Sequence, residues 1–107
     1  MSDARLDPLV HAPRRLAAMA ILASSQSVEF TFLRDHLQVS DSVLSKHMKL
    51  LQEAGYVKVV KRGRGRGAST WYRVTSAGRE AFDAHVAYLQ SLVAGAPVSL
   101  GEPGAGD

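Results

Sequence analysis

Apolar residues recur with a helical period at four places along the chain and with a strand period at three. From Ala12 to Ser24, Leu16, Met19, Ala20 and Ala23 fall on one helical face, and Pro13 suits the first turn, where a missing N–H costs nothing. Pro8 opens a short turn carrying Leu9 and Val10. The polar run Ser24-Ser25-Gln26-Ser27 breaks the pattern, and Val28-Glu29-Phe30 then alternates like a very short strand. Thr31 is expected to cap a helix over Phe32 to Leu37, with Phe32, Leu33 and Leu37 inward. After the turn Gln38-Val39, Ser40 caps the next helix, and Asp41 sits at its positive end. Leu44, Met48 and Leu51 form that helix's inner face, and Gly55 ends it in a left-handed conformation. Tyr56 to Arg62 and Ser69 to Val74 read as two strands around a glycine-rich turn. Thr75 caps a last helix over Ser76 to Ala94, which Gly95 is expected to stop.

The order is therefore helix, strand, helix, helix, strand, wing, strand, helix (α-β-α-α-β-wing-β-α). A mostly α chain with a small β-hairpin in that order follows the winged helix-turn-helix plan. Residues 1–94 read as one such domain, and the Gly/Pro-rich, acidic residues 95–107 read as a disordered tail. At 107 residues the chain can bury a core without a metal or disulfide staple. It has no cysteine, which removes disulfides, thiolate metal sites and cysteine nucleophiles. No apolar run is long enough to span a bilayer and no secretory signal is visible, so a soluble, cytoplasmic protein with no membrane contact is expected.

The net charge of +3 is modest, but its distribution is uneven. Between Ala54 and Arg79 stand Lys58, Lys61, Arg62, Arg64, Arg66, Arg73 and Arg79 with no acidic residue. A local positive field of this kind suits a polyanion. In a helix-turn-helix the second helix enters the major groove of double-stranded DNA. Here Ser42, Ser45 and Lys49 share one outer stripe of the helix from Asp41, with Lys46 beside them. Small hydroxyls let the helix sit deep, and the two lysines suit phosphates. In the turn, Arg62, Arg64 and Arg66 alternate with Gly63, Gly65 and Gly67. Arginine suits phosphates and narrow minor grooves, and glycine permits close backbone approach. Trp71 and Tyr72 are adjacent in a strand, so one faces the core and the other the outside.

The stretch FTFLRDHLQVSDSVLSKHMKLLQEAGYVKVVK, followed by TWYRVTSAGREAF, resembles the winged-helix regulators of the MarR and ArsR groups, closest to a compact MarR-like subgroup. LSKHMKLLQEAGYV and YRVTSAGR carry the likeness, which covers about Leu6 to Leu92. The resemblance implies a bacterial-type transcriptional regulator, repressing by default, that binds a pseudo-palindromic operator as a homodimer. It implies DNA contacts from Ser42, Ser45, Lys46 and Lys49, wing-tip contacts from Arg64 and Arg66, and a backbone contact from Arg14 or Arg15.

The last helix points to a dimer independently. Phe82, Val86, Leu89 and Val93 lie close to a heptad seam, and Tyr88 and Leu92 widen it. Leu6, Leu9 and Val10 are expected to join that interface. A small-molecule effector has no direct support; the place for one is a dimer crevice lined by Phe82, Tyr88, Leu9 and Met19. Asp83 and His85 match half of a helical zinc site but lack the other half, and His11, His36 and His47 lie in separate elements, so no metal and no cofactor are expected. No phosphate loop, nucleophile elbow or acid pair marks an enzyme. The rival reading is a winged helix used for protein–protein contact without sequence-specific DNA binding.

Overall fold

The computed structural model describes residues 6–100. Five α-helices and a three-stranded antiparallel sheet follow in the order α1 (Pro8–His11), α2 (Pro13–Ala23), β1 (Val28–Glu29), α3 (Phe30–Leu37), α4 (Asp41–Glu53), β2 (Val57–Arg62), β3 (Ser69–Val74) and α5 (Ser76–Leu100), with a single 3₁₀ turn at Gly65–Gly67 between β2 and β3. The sheet order is β1-β3-β2. The hairpin register runs from Val57 opposite Val74 to Arg62 opposite Ser69, and Val28 and Glu29 pair with Tyr72 and Trp71 on the other edge of β3. The winged helix-turn-helix plan expected from the element order is the observed fold.

The helix-turn-helix pair is set by its caps. The Val43 N–H donates to Ser40 Oγ at 3.2 Å, the first-turn bond expected of Ser40. Leu44, Met48 and Leu51 are fully buried, and the chain leaves α4 through Gly55 at φ 81. Thr75 repeats the device for α5, accepting from the Gly78 N–H at 3.0 Å while its own hydroxyl donates to the Gly55 carbonyl. The core joins every element from α1 to β3: Val10, Ala18, Met19, Leu22, Val28, Leu33, Leu37, Leu44, Met48, Leu51, Val57 and Tyr72.

Several local expectations are corrected. The helix α3 starts at Phe30, with Glu29 rather than Thr31 at its N-cap and no side-chain cap bond. Starting two residues early rotates the buried face to Phe30, Leu33 and Leu37, so Phe32 is turned out, 53% exposed, and stacks on His36 one turn on. In α2 the buried residues are Ala18, Met19 and Leu22, and Ala20 faces out. Gly95 does not stop α5, which runs on to Leu100; unlike Gly55 it does not take positive φ, and a glycine ends a helix by that route only in the left-handed region. The rest of the expected tail, residues 101–107, lies outside the described residues. Val10 and Met19 are wholly buried within the protomer, so Val10 is not available to a dimer interface and Met19 cannot line a dimer crevice.

A buried polar cluster ties α1 to α5. His85, with no exposed surface, accepts the Asp7 backbone N–H on Nδ1 at 3.1 Å. Because that N–H can only donate, the ring hydrogen sits on Nε2, which faces His11 Nδ1 at 3.1 Å and donates to it. One Asp7 carboxylate oxygen caps α1 through the Leu9 and Val10 N–H groups, and the other accepts from the Tyr56 hydroxyl at 2.8 Å. Burial, and then the neighbouring His11, lower the His85 pKa below its ordinary 6.5, with the Asp7 carboxylate opposing. His47 is lowered too, by burial first and then by Arg15, Lys46 and Arg14. Both groups bind protons more readily in the unfolded chain, so their stabilising contribution is complete above about pH 6.5 and is lost as pH falls through the folded-state values. The melting temperature is expected to hold steady above neutrality and to fall as the pH drops below about 6.5. His85→Gln, which can still accept the Asp7 N–H, should flatten that dependence. An equally steep fall in the variant would assign it elsewhere.

Candidate nucleic-acid interface

The outer face of α4 is open. Ser42, Ser45, Lys46 and Lys49 are all exposed, as the spacing predicts. Val43, 42% exposed on the first turn, stands with them and was not expected, since its apolar side chain reads as a core candidate. The Ser40 and Ser42 hydroxyls lie 3.2 Å apart, so the cap also orients Ser42. Asp41, an acid where phosphates would approach, is compensated: Arg34 of α3 reaches it at 3.0 Å and also holds Asp35 at 2.9 Å. These two carboxylates, Asp35 foremost, raise the Arg34 pKa, so the compensating charge is permanent.

A cleft of about 470 Å³, lined by Ser45, Lys49, Gln52, Glu53 and Tyr72, separates the outer face of α4 from the sheet. Tyr72 is 6% exposed and faces the core side, whereas Trp71 lies half-buried on the opposite face, as adjacent strand positions require.

The wing extends from Gly63 to Ala68. Its tightest point is Gly63, at φ 81, where an added Cβ would lie 2.5 Å from the Gly67 carbonyl oxygen, so the reversal needs glycine there. Gly67 N–H donates to the Arg64 carbonyl at 3.0 Å and closes the 3₁₀ turn. Arg64 and Arg66 project from this turn into solvent. Arg62 is also exposed but is not a free tip residue: its guanidinium carbon sits 4.3 Å from the Trp71 ring centroid, and Nη2 donates to Ser27 Oγ at 3.3 Å. Among the described residues both ion pairs belong to Arg34, so Lys46, Lys49, Arg62, Arg64 and Arg66 carry charge without a carboxylate partner.

Of the two arginines suggested on α2, Arg14 is exposed, whereas Arg15 donates through Nε to the Leu9 carbonyl at 2.6 Å and through Nη1 to His47 Nδ1 at 3.2 Å. Arg15 is thus committed to bracing α1 and α4, a role its sequence position did not signal. On α5, Phe82, Val86 and Leu89 are half-buried while Leu92 and Val93 are 50% and 73% exposed. Val86, Leu89, Gln90, Val93 and Ala94 border an open apolar groove of about 310 Å³. Asp83 is exposed and His85 faces inward, so the two do not converge, and among the described residues no cluster of three or more His, Cys, Asp or Glu is placed to hold a metal. No described helix is long and apolar enough to cross a membrane.

Comparison with known proteins agrees with this architecture. The chain is 31% identical over 78 residues to an uncharacterized protein of Methanocaldococcus jannaschii, an overlap of 73% of this chain and 85% of the relative. The structure of a transcriptional regulator homologue from Pyrococcus horikoshii superposes with a TM-score of 0.77 at 24% identity, covering 82% of this chain and 87% of that one. NadR, solved in complex with 4-hydroxyphenylacetate, superposes with a TM-score of 0.66 at 15% identity, covering 90% of this chain and 70% of that one. At those identities the two structures share the fold. The family model for a winged helix DNA-binding domain matches residues 14–93, from the start of α2 through the exposed part of α5. The chain belongs to the winged-helix DNA-binding domain family.

Proposed function

We propose that this protein is a transcriptional regulator that binds double-stranded DNA sequence-specifically as a homodimer, and that it represses the genes it occupies. The observation that carries the reading is a single charge pattern: the exposed Ser42, Ser45, Lys46 and Lys49 of α4 stand beside an exposed wing with Arg62, Arg64 and Arg66, all without carboxylate pairing among the described residues. In this reading α4 lies in the major groove, Ser42 and Ser45 meet base edges, and Lys46 and Lys49 hold phosphates. The wing arginines follow the adjacent backbone or minor groove, and Arg14 adds a backbone contact. The protein–protein alternative has no comparable support, because a surface of unpaired cations on both helix and wing suits a polyanion.

Dimerisation rests on α5. Leu92 and Val93 are large apolar side chains left to solvent at the end of a stripe that begins with Phe82, Val86 and Leu89. Contiguous exposed apolar surface marks an interaction site. The same groove is the place for a small-molecule effector, a reading supported only by the ligand-bound state of the distantly similar NadR.

The test begins with selection from a random duplex pool. A recovered motif with two symmetric halves, centred roughly 34 Å apart, is expected. Val93→Arg should then halve the sedimenting mass while leaving the protomer folded, because Val93 is 73% exposed in the protomer, and the melting temperature should lose its dependence on protein concentration. It should also cost more than about tenfold in affinity for the two-half-site duplex, as the second half-site loses its effective-concentration advantage. A variant that sediments as the wild type does would remove α5 from the interface.

A further inference from the structure

We propose that Trp71 is a positioning residue for DNA binding: its ring holds the Arg62 guanidinium at the root of the wing, ready to take a phosphate of the duplex. The inference rests on the DNA-binding reading above and adds to it a residue that touches no DNA itself.

The arrangement is built from several contacts. In the hairpin register Val60 stands opposite Trp71 and Arg62 opposite Ser69, so Arg62 lies diagonally across from Trp71 on the same face of the sheet. Its guanidinium carbon is 4.3 Å from the ring centroid. Ser27, just before β1, accepts from Nη2 at 3.3 Å on the far side. The ring is itself fixed, because Nε1 donates to Ser69 Oγ at 2.9 Å. Stacking occupies the face of the guanidinium and leaves its edge, with most of its five N–H donors, for a planar anion.

The surroundings make that anion a phosphate of a polyanion. Lys58 and Arg73 stand directly opposite each other on the same sheet face, both exposed, a like-charge pair that costs stability unless an anion relieves it. Glu29, opposite Trp71, is the acid of this face, and it forms no ion pair with Arg62. Arg62 therefore differs from Arg64 and Arg66. Among the described residues no side-chain hydrogen bond, ion pair or ring contact holds those two, so they must lose rotamer freedom on binding, whereas Arg62 has already lost it.

A merely structural stack and a positioning stack separate in the salt dependence of binding. The full chain and the variants Trp71→Phe, Trp71→Leu, Arg62→Lys, Arg62→Gln and the Trp71→Leu/Arg62→Gln double are titrated against one selected duplex over a series of salt concentrations, with melting temperatures measured alongside. Arg62→Gln should lower the log–log salt slope by about one unit for each bound protomer, the loss of one phosphate contact apiece. Trp71→Leu should lower it similarly although no charge is removed, the double variant should lose no more than Arg62→Gln alone, and Trp71→Phe should keep the wild-type slope. Trp71 is the sole tryptophan, so its emission should change when the duplex is added. Arg62→Lys keeps the charge but not the planar stack, and should bind several-fold more weakly than wild type; if Trp71→Leu fails to fold, this variant decides. Wild-type binding by Arg62→Lys, an unchanged slope in folded Trp71→Leu, or additive losses in the double would overturn the proposal while leaving the DNA-binding reading intact. A wild type that binds no duplex would instead remove the reading on which it rests.

Discussion

Replacing Arg64 and Arg66 together with alanine should weaken binding to every duplex, specific or not, and reduce the log–log salt slope by about two units for each bound protomer. Both side chains are exposed on the 3₁₀ turn of the wing and neither pairs with a carboxylate among the described residues, so the folded protomer loses nothing when they are removed. The melting temperature should therefore stay where it is while affinity at about 0.1 M salt falls by about one to two orders of magnitude for each bound protomer. Preference among sequences should change little, because phosphate contacts set register and strength rather than choice. A slope equal to that of the wild type would take the wing off the DNA.

The largest effect on stability is expected from Gly78→Ala. Gly78 is buried in the first turn of α5, and a Cβ there would lie 2.1 Å from the Tyr56 carbonyl oxygen and 2.8 Å from its carbon. The obstacle is backbone, and it is pinned: the Thr75 N–H donates to that same oxygen at 3.0 Å, and the Thr75 hydroxyl donates to the Gly55 carbonyl. Relief requires α5 to lift from the α4–β2 turn. The cost is about 3 kcal/mol, at the upper end of overpacking effects, and the melting temperature should fall by more than about 10 °C. A melt within a degree or two of wild type would mean that the packing of α5 on Tyr56 is not as tight as described. Because the same turn leads from α4 into the hairpin, partly folded variants should also lose DNA affinity in proportion to their loss of structure.

The sequence was most legible where independent local signals agreed. For α4, the Ser40 cap, the buried triplet Leu44, Met48 and Leu51, and Gly55 all pointed to the same helix, and its exposed stripe followed from its period. The hairpin was legible for a similar reason, since the arginine–glycine alternation interrupts two β-branched runs. Phe30-Thr31-Phe32 was not, because either phenylalanine could begin the inward face; the pairing of Val28 and Glu29 with β3 decided in favour of Phe30. Gly95 resembled Gly55 in composition, but only Gly55 must turn the chain from a helix into a strand. The His85 cluster was hidden for another reason. Its partners Asp7 and His11 lie more than 70 positions away, and no periodicity within one helix reports a contact of that range. The same holds for Arg15 with His47 and for Arg62 with Ser27, where the fold gives an intramolecular partner to an arginine that the sequence offered to DNA.

The central claim, that the outer face of α4 chooses among DNA sequences, is tested most directly by one ratio. The dissociation constant of the wild-type protein for its best selected duplex is measured against that for a shuffled duplex of the same length and composition, at a single near-physiological salt concentration. Specific binding at least about a thousandfold tighter than the shuffled control is predicted. Equal affinity for the two duplexes, or no attachment to either, would contradict it.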